Sequence, residues 1–246
     1  MTGTLPVPDL GLPADPTLGD PVLDQPVWAS LLGVHGRLAE RHRRAARYHP
    51  DVAGFVALSD PDDPAAWADL AALVGPGVTV ALSGVTAPPP PGWRIGEDLP
   101  GVQMVDVSVD KRPDPEAIRL TREDVPEILD LVDRTRPGPF RPGTIELGTY
   151  LGIRRGGRLV AMAGERLHPP GWTEISAVCT DPGYRGQGLA TRLVSAVGAG
   201  IAARGERALL HAWAGNVSAI RLYESLGFRL RRTTRFAQYT TPEDAS

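Results

Sequence analysis

Residues 181–205 read DPGYRGQGLATRLVSAVGAGIAARG, and this stretch decides the architecture. Leu189, Leu193, Val197 and Ile201 recur every fourth residue with Ala190 and Val194 beside them, and Gly205 supplies a stop, so a helix is predicted from Leu189 onward. The turn ahead of it carries Gly186 and Gly188. A glycine turn feeding a helix start exposes unpaired N–H groups at the positive end of the helix dipole, which suits a phosphate or pyrophosphate. For a glycine pair alone, a tight change of direction is the simpler reading, so the surroundings must decide. A dinucleotide-binding turn needs a third glycine where Thr191 stands and an acidic residue near His211-Ala212; a Walker loop needs a lysine after the glycines. Neither condition is met.

Outward from this turn, the second half of the chain alternates short apolar runs with turn signals. Strands are predicted at 118–120, 149–154, 159–167 and 172–179, the last three separated by Arg155-Gly156-Gly157 and by His168-Pro169-Pro170-Gly171. Tight turns between neighbouring strands imply an antiparallel meander. A helix over 121–132 has Thr121 and Asp124 as candidate caps and Val125, Ile128, Leu129 and Val132 on one face. After the long helix come a buried-type strand at 208–212, a helix at 218–226 stopped by Gly227, and a final strand at 232–239.

The first half is interrupted by most of the 25 prolines, each of which fixes φ and removes a donor. Residues 1–24 carry Pro6, Pro8, Pro13, Pro16 and Pro21 and are expected to form a disordered, Pro-rich tail. Residues 25–112 are expected to form a smaller N-terminal α/β module. Its predicted parts are an Asp63-capped helix over 64–74, strands at 78–82 and 102–109, and a stiff spacer at Pro88–Pro91. The basic run from Arg41 to Arg47 reads as a solvated helix face. Residues 113–246 are then the second domain, and the whole is a mixed α/β (α+β) protein.

Composition excludes several chemistries. A net charge of −3 argues against general affinity for nucleic acid or acidic membranes. The only cysteine is Cys179, so an intramolecular disulfide is impossible and no metal site is expected. Lys111 is the only lysine and falls in a linker, which makes a Schiff-base enzyme a poor fit. No apolar run approaches a membrane span and the N-terminus lacks a signal pattern, so a cytoplasmic protein is expected.

Three blocks, in this order, carry a family resemblance: Glu174-Ile175-Ser176-Ala177-Val178-Cys179-Thr180, then Tyr184-Arg185-Gly186-Gln187-Gly188-Leu189-Ala190, then Asn216 through Ala219-Ile220, Leu222-Tyr223-Glu224 and Leu226-Gly227-Phe228. Together they resemble the GCN5-related N-acetyltransferase (GNAT) superfamily and, within it, the FR47-like branch. The resemblance covers roughly residues 117–239. It implies the GNAT acyl-CoA N-acyltransferase fold, with a mixed, largely antiparallel sheet splayed where the cofactor enters. It also suggests that the N-terminal module is a degenerate companion of similar fold.

In such a protein acetyl-CoA is the co-substrate. Its pyrophosphate is expected on the backbone of Arg185, Gly186, Gln187, Gly188, Leu189, Ala190 and Thr191, and its pantetheine arm beside Val178, Cys179 and Thr180. The Val178 N–H is then placed to polarise the thioester carbonyl. Transfer to an amine needs an acid for the departing sulfur and a base for the amine. Tyr223 is the candidate acid, because a phenol holds its proton at neutral pH; its bland alternative is an amphipathic core residue. Asn216, two turns earlier, is expected to touch the cofactor, to cap the helix, or both. Glu174 is the candidate base, eleven residues before Arg185, as in the histone-acetylating branch; an ordinary solvent-face charge or a water chain are the alternatives. His168 and His211 are lesser candidates, and Cys179 reads as a small core residue. The expected activity is acetyl transfer to a primary amine of a small molecule or peptide, by a monomer or homodimer. A longer-chain acyltransferase, a non-catalytic acyl-CoA-binding module and an interaction partner acting through the N-terminal block remain rivals.

Overall fold

The computed structural model describes residues 16–243, which hold five α-helices and eleven strands. The helices are α1 (Pro26–Leu32), α2 (Pro64–Val74), α3 (Val125–Thr135), α4 (Leu189–Ala203) and α5 (Val217–Leu226). The strands are β1 (Ala39–His42), β2 (Ala45–Tyr48), β3 (Val56–Leu58), β4 (Thr79–Ser83), β5 (Arg94–Asp106), β6 (Ile118–Arg119), β7 (Tyr150–Arg155), β8 (Arg158–Glu165), β9 (Trp172–Thr180), β10 (Arg207–Trp213) and β11 (Phe228–Thr240). β1, β2 and β3 form a small sheet of their own, and the other eight form one sheet in the order β4-β11-β5-β10-β9-β8-β7-β6. Only β9 and β10 run parallel among the eight, which confirms the mixed, largely antiparallel α/β fold.

Local signals account for the element ends. Thr121 and Asp124 close a reciprocal capping box ahead of α3. The Asp63 carboxylate accepts from Ala65 N at 2.9 Å at the start of α2, with Pro64 at the first helical position. Gly227 ends α5 in the left-handed region at φ 103°. α4 buries Leu189, Leu193, Val194, Val197 and Ile201 against β8, β9 and β10, each contributing roughly 1.5–3 kcal/mol.

Three expectations are corrected. The first is the domain boundary at 112/113. β5, from the first half of the chain, lies between β10 and β11, pairing Val105 with Leu209 on one side and Met104 with Leu230 on the other. β4 then pairs with β11 as the outermost strand, so residues 79–106 belong to the sheet of the second half. Only residues 26–74 build a separate small layer, which docks through Gly143 N to Asp51 O at 2.9 Å and Thr144 Oγ1 to Val52 O at 2.7 Å. The second correction concerns the tail. Residues 1–15 lie outside the described residues, but Pro16–Gly19 and Pro21–Asp24 form short 3-10 turns. Leu23 is fully buried against Val105, Trp172 and Leu209, and Arg231 holds both Asp20 O and the Asp24 carboxylate at 2.8 Å. Burying an apolar side chain and pairing a carboxylate offset the ordering entropy that composition alone left uncompensated. Thirdly, the basic run is a hairpin: Arg43 takes φ 47° at its tip, and Ala45 and Ala46 are completely buried.

Candidate active site

β9 and β10 are paired only through Arg207↔Trp172, Ala208↔Thr173 and Leu209↔Glu174. Beyond Leu209, β10 continues along β5 to Trp213↔Gly101, while β9 stays with β8 as far as Thr180↔Ala161. The two strands therefore part, and alternate backbone groups of residues 175–180 point into the gap. A bulge sits at the same place: the β8–β9 register shifts between Met162↔Cys179 and Gly164↔Ser176, and Ala177 adopts φ 53°. A non-glycine residue in the left-handed region is strained backbone, and such strain concentrates at functional sites.

The turn of residues 181–188 closes one end of this gap. The Asp181 carboxylate accepts from Gly183 N at 3.0 Å, and Arg134 Nε donates to it at 3.0 Å. Gly186 and Gly188 take φ 76° and 72°, and a side chain at either would meet no atom within 4 Å. Gly188 is the N-cap of α4, with no side-chain cap; the first return bond of the helix is Arg192 N to Gly188 O at 3.0 Å. Among the described residues, no protein acceptor takes the N–H groups of Gly186, Gln187, Gly188, Leu189, Ala190 or Thr191. Six consecutive free donors at a positive helix end, over open space, fit a diphosphate.

Tyr223 projects from α5 into the same core as Val178, Tyr184 and α4. It is 8% exposed, packed edge-on against Phe228. Burial, and secondarily the neighbouring Cys179 thiol, push its pKa up to about 12, so it holds its proton at neutral pH. Cys179 packs on the other face, with α3 and Met162. Burial raises Cys179 itself to about 11, consistent with a core thiol. Asn216 Oδ1 accepts from Ala219 N at 3.2 Å, so its capping role is realised at the exposed start of α5.

Glu174 departs most from its expected setting. It is fully buried at the last paired position of β9. Arg166 donates to its carboxylate through Nε at 2.8 Å and Nη2 at 2.5 Å, and His211 Nδ1 lies 2.7 Å from Oε1. Burial alone would raise its pKa, but the charge of Arg166, then the influence of His211, and the hydrogen bonds from both outweigh it and hold the carboxyl at about 2. A carboxylate so held is a poor base, which weighs against the expected role of Glu174, and its complete burial also removes the alternative of an ordinary solvent-face charge. The pairing with His211 joins two strands that are distant in sequence, and neither residue carried a spacing signal for it.

The FR47-like protein model matches residues 150–237. The N-alpha-acetyltransferase RimI of Mycobacterium tuberculosis is 35% identical over 121 residues, which are 45% of this chain and 75% of that protein. Among solved structures, an acetyltransferase of the GNAT family from Novosphingobium aromaticivorans is 44% identical with a TM-score of 0.82, covering 90% of this chain and 99% of its own. A GCN5-related N-acetyltransferase from Kribbella flavida shares the fold at 19% identity and TM-score 0.56, over 89% of this chain and 95% of its own. Splayed strands, free-amide turn and sequence relatives agree: the chain belongs to the GCN5-related N-acetyltransferase superfamily, as an FR47-like member and an enzyme of that family.

Proposed function

We propose that the protein transfers the acetyl group of acetyl-CoA directly to a primary amine. The observation that carries this reading is the continuity of the free-donor turn at 186–191 with the gap between β9 and β10, beside which Tyr223 packs in the same core as Val178. The backbone of 185–191 holds the diphosphate, and the edge of β9 at Val178, Cys179 and Thr180 pairs with the amides of the pantetheine arm. The Val178 N–H faces the carbonyl oxygen where negative charge develops. Tyr223 supplies a proton to the departing sulfur, which a phenol held near 12 retains at neutral pH until a thiolate forms. Asn216 lines the cofactor beside it. The curated relative is named for acetylating α-amino groups, which makes a primary α-amine the first acceptor to try.

Calorimetry with acetyl-CoA and with longer acyl-CoA thioesters, followed by thiol release with a panel of amines, tests the reading. Micromolar acetyl-CoA binding with amine-dependent release is expected. Binding without release for any amine would favour a passive acyl-CoA module, and preference for a long acyl chain would change the donor.

A further inference from the structure

Acetyl transfer to an amine needs a proton acceptor on the side from which the amine approaches, and the geometry points to His211 for that role, with Glu174 as its positioning residue. This assignment rests on the acetyltransferase reading above. His211 lies on β10 two residues beyond Leu209, the last position bonded to β9, and so stands where the gap opens. Along β10, Leu210 and Ala212 face the core shared with α4 and Tyr223, whereas Leu209 faces Leu23 and Trp172 on the opposite side. Strand alternation puts His211 on the face of Leu209. The candidate acid and this imidazole therefore flank the gap from opposite faces, as a leaving sulfur and an attacking nitrogen require.

The hydrogen-bond network leaves one tautomer. Glu174 is ionised and only accepts, so His211 Nδ1 carries the proton at 2.7 Å. Arg231 Nη1 donates to Gln103 Oε1 at 2.8 Å, which turns the Gln103 amide nitrogen toward His211 Nε2 at 3.0 Å and Leu23 O at 2.8 Å. Nε2 is thus a bare lone pair accepting from a neutral amide. An ammonium N–H is charged and the stronger donor, and it displaces that amide. His211 lines a narrow crevice with Leu23, Asp24, Gln103, Arg232 and Thr234 that has room for about one water. Its side chain is 4% exposed, so an amine reaches Nε2 by displacing the Gln103 amide. The charged groups around the imidazole are Glu174 and Arg166 from the β8–β9 side, Arg231 and Arg232 from β11, and Asp24 from the N-terminal segment.

The step balances as follows. R–NH3+ gives one proton to Nε2, and the imidazolium is held by Glu174 and later releases that proton to water. The freed amine forms the C–N bond as the C–S bond breaks. The sulfur takes the Tyr223 proton, and a proton leaving the nitrogen restores the phenol. The sum is R–NH3+ plus acetyl-CoA giving R–NH–acetyl, CoA–SH and one proton.

The test uses the full chain, with L-alaninamide as acceptor. Histidine 15N NMR of the free protein is expected to show His211 neutral, protonated at Nδ1 and bare at Nε2, and L-alaninamide should shift the Nε2 resonance. His211→Gln, which retains an N–H donor for Glu174, should bind acetyl-CoA within about twofold of the parent yet lose about 100-fold in kcat. The rise of kcat/KM with pH should flatten in the same variant. Aminoacetonitrile, whose amine is already neutral near pH 7, should lose far less in that variant than L-alaninamide does. Glu174→Gln should blur the single His211 tautomer, a readout that a purely structural role would not move. An Nε2-protonated His211 in the parent, or a parental pH profile in His211→Gln, overturns the assignment. Failure of the parent to bind acetyl-CoA counts against the acetyltransferase reading instead, and the tautomer measurement tells the two failures apart.

Discussion

Tyr223 is the residue on which the proposed chemistry turns most directly. Tyr223→Phe keeps the buried ring and deletes only the hydroxyl, so it removes the proton donor without opening a cavity. The expected outcome is a fall of about 100-fold in kcat with the acetyl-CoA Kd unchanged by calorimetry; an equal loss in both would give the ring a packing role only. Gly188 offers a complementary case. At φ 72° with open space around it, Gly188→Ala should cost about 1 kcal/mol in urea denaturation from backbone strain alone. It should also weaken acetyl-CoA binding, because the strained N-cap re-aims the free amides. Gly156→Ala, equally left-handed at φ 58° but in the β7–β8 turn, is the control: similar stability loss and parental affinity.

At the scale of elements, the small N-terminal layer is locked to the main sheet through His35. Its Nε2 donates to Leu147 O at 2.9 Å, so Nδ1 is bare and accepts from the Tyr48 hydroxyl at 2.8 Å. Burial first, and His168 second with its ring 4.9 Å away, draw the His35 pKa from 6.5 down to about 4. The unfolded chain therefore binds this proton as pH falls below 6.5 while the folded chain does not, and stability declines until about pH 4. The loss is expected to approach ~3 kcal/mol, with a flat profile above the window. Urea titrations across that range should show the slope, and His35→Gln should shrink it. An unchanged slope in the variant would move the effect to other groups, of which His168, also depressed by burial, is the nearest.

Considered as a whole, the molecule depends on β5 threading between strands that come more than a hundred residues later. A chain starting at residue 113 lacks that strand, which leaves the edges of β10 and β11 unpaired and opens the space filled by the fully buried Met104 and Val105. Such a truncation is expected to aggregate, read as poor dispersion in proton NMR and a high-mass peak in gel filtration. A monomeric, well-dispersed product would show that residues 113–246 fold alone. The described N-terminal segment acts at the same scale: Leu23→Asp buries an unpaired charge among Val105, Trp172 and Leu209 and should lower stability by several kcal/mol.

Local signals in the sequence determined the long helix, its glycine turn, the Asp63, Thr121 and Asn216 caps and the meander from 150 to 180, because each depends on residues a few positions apart. The same locality made the turn legible as an anion cradle. The basic hairpin was not legible, since its burial comes from α2 and α1 packing on β1 and β2. Nor was the bulge at Ala177, which no glycine announces. Only the tertiary structure inserted β5 into the sheet, ordered residues 16–24 over its face and sealed Glu174 between Arg166 and His211. Long-range strand pairing and buried charge pairs are set by partners far apart along the chain, and local periodicity carries no record of which partner is chosen.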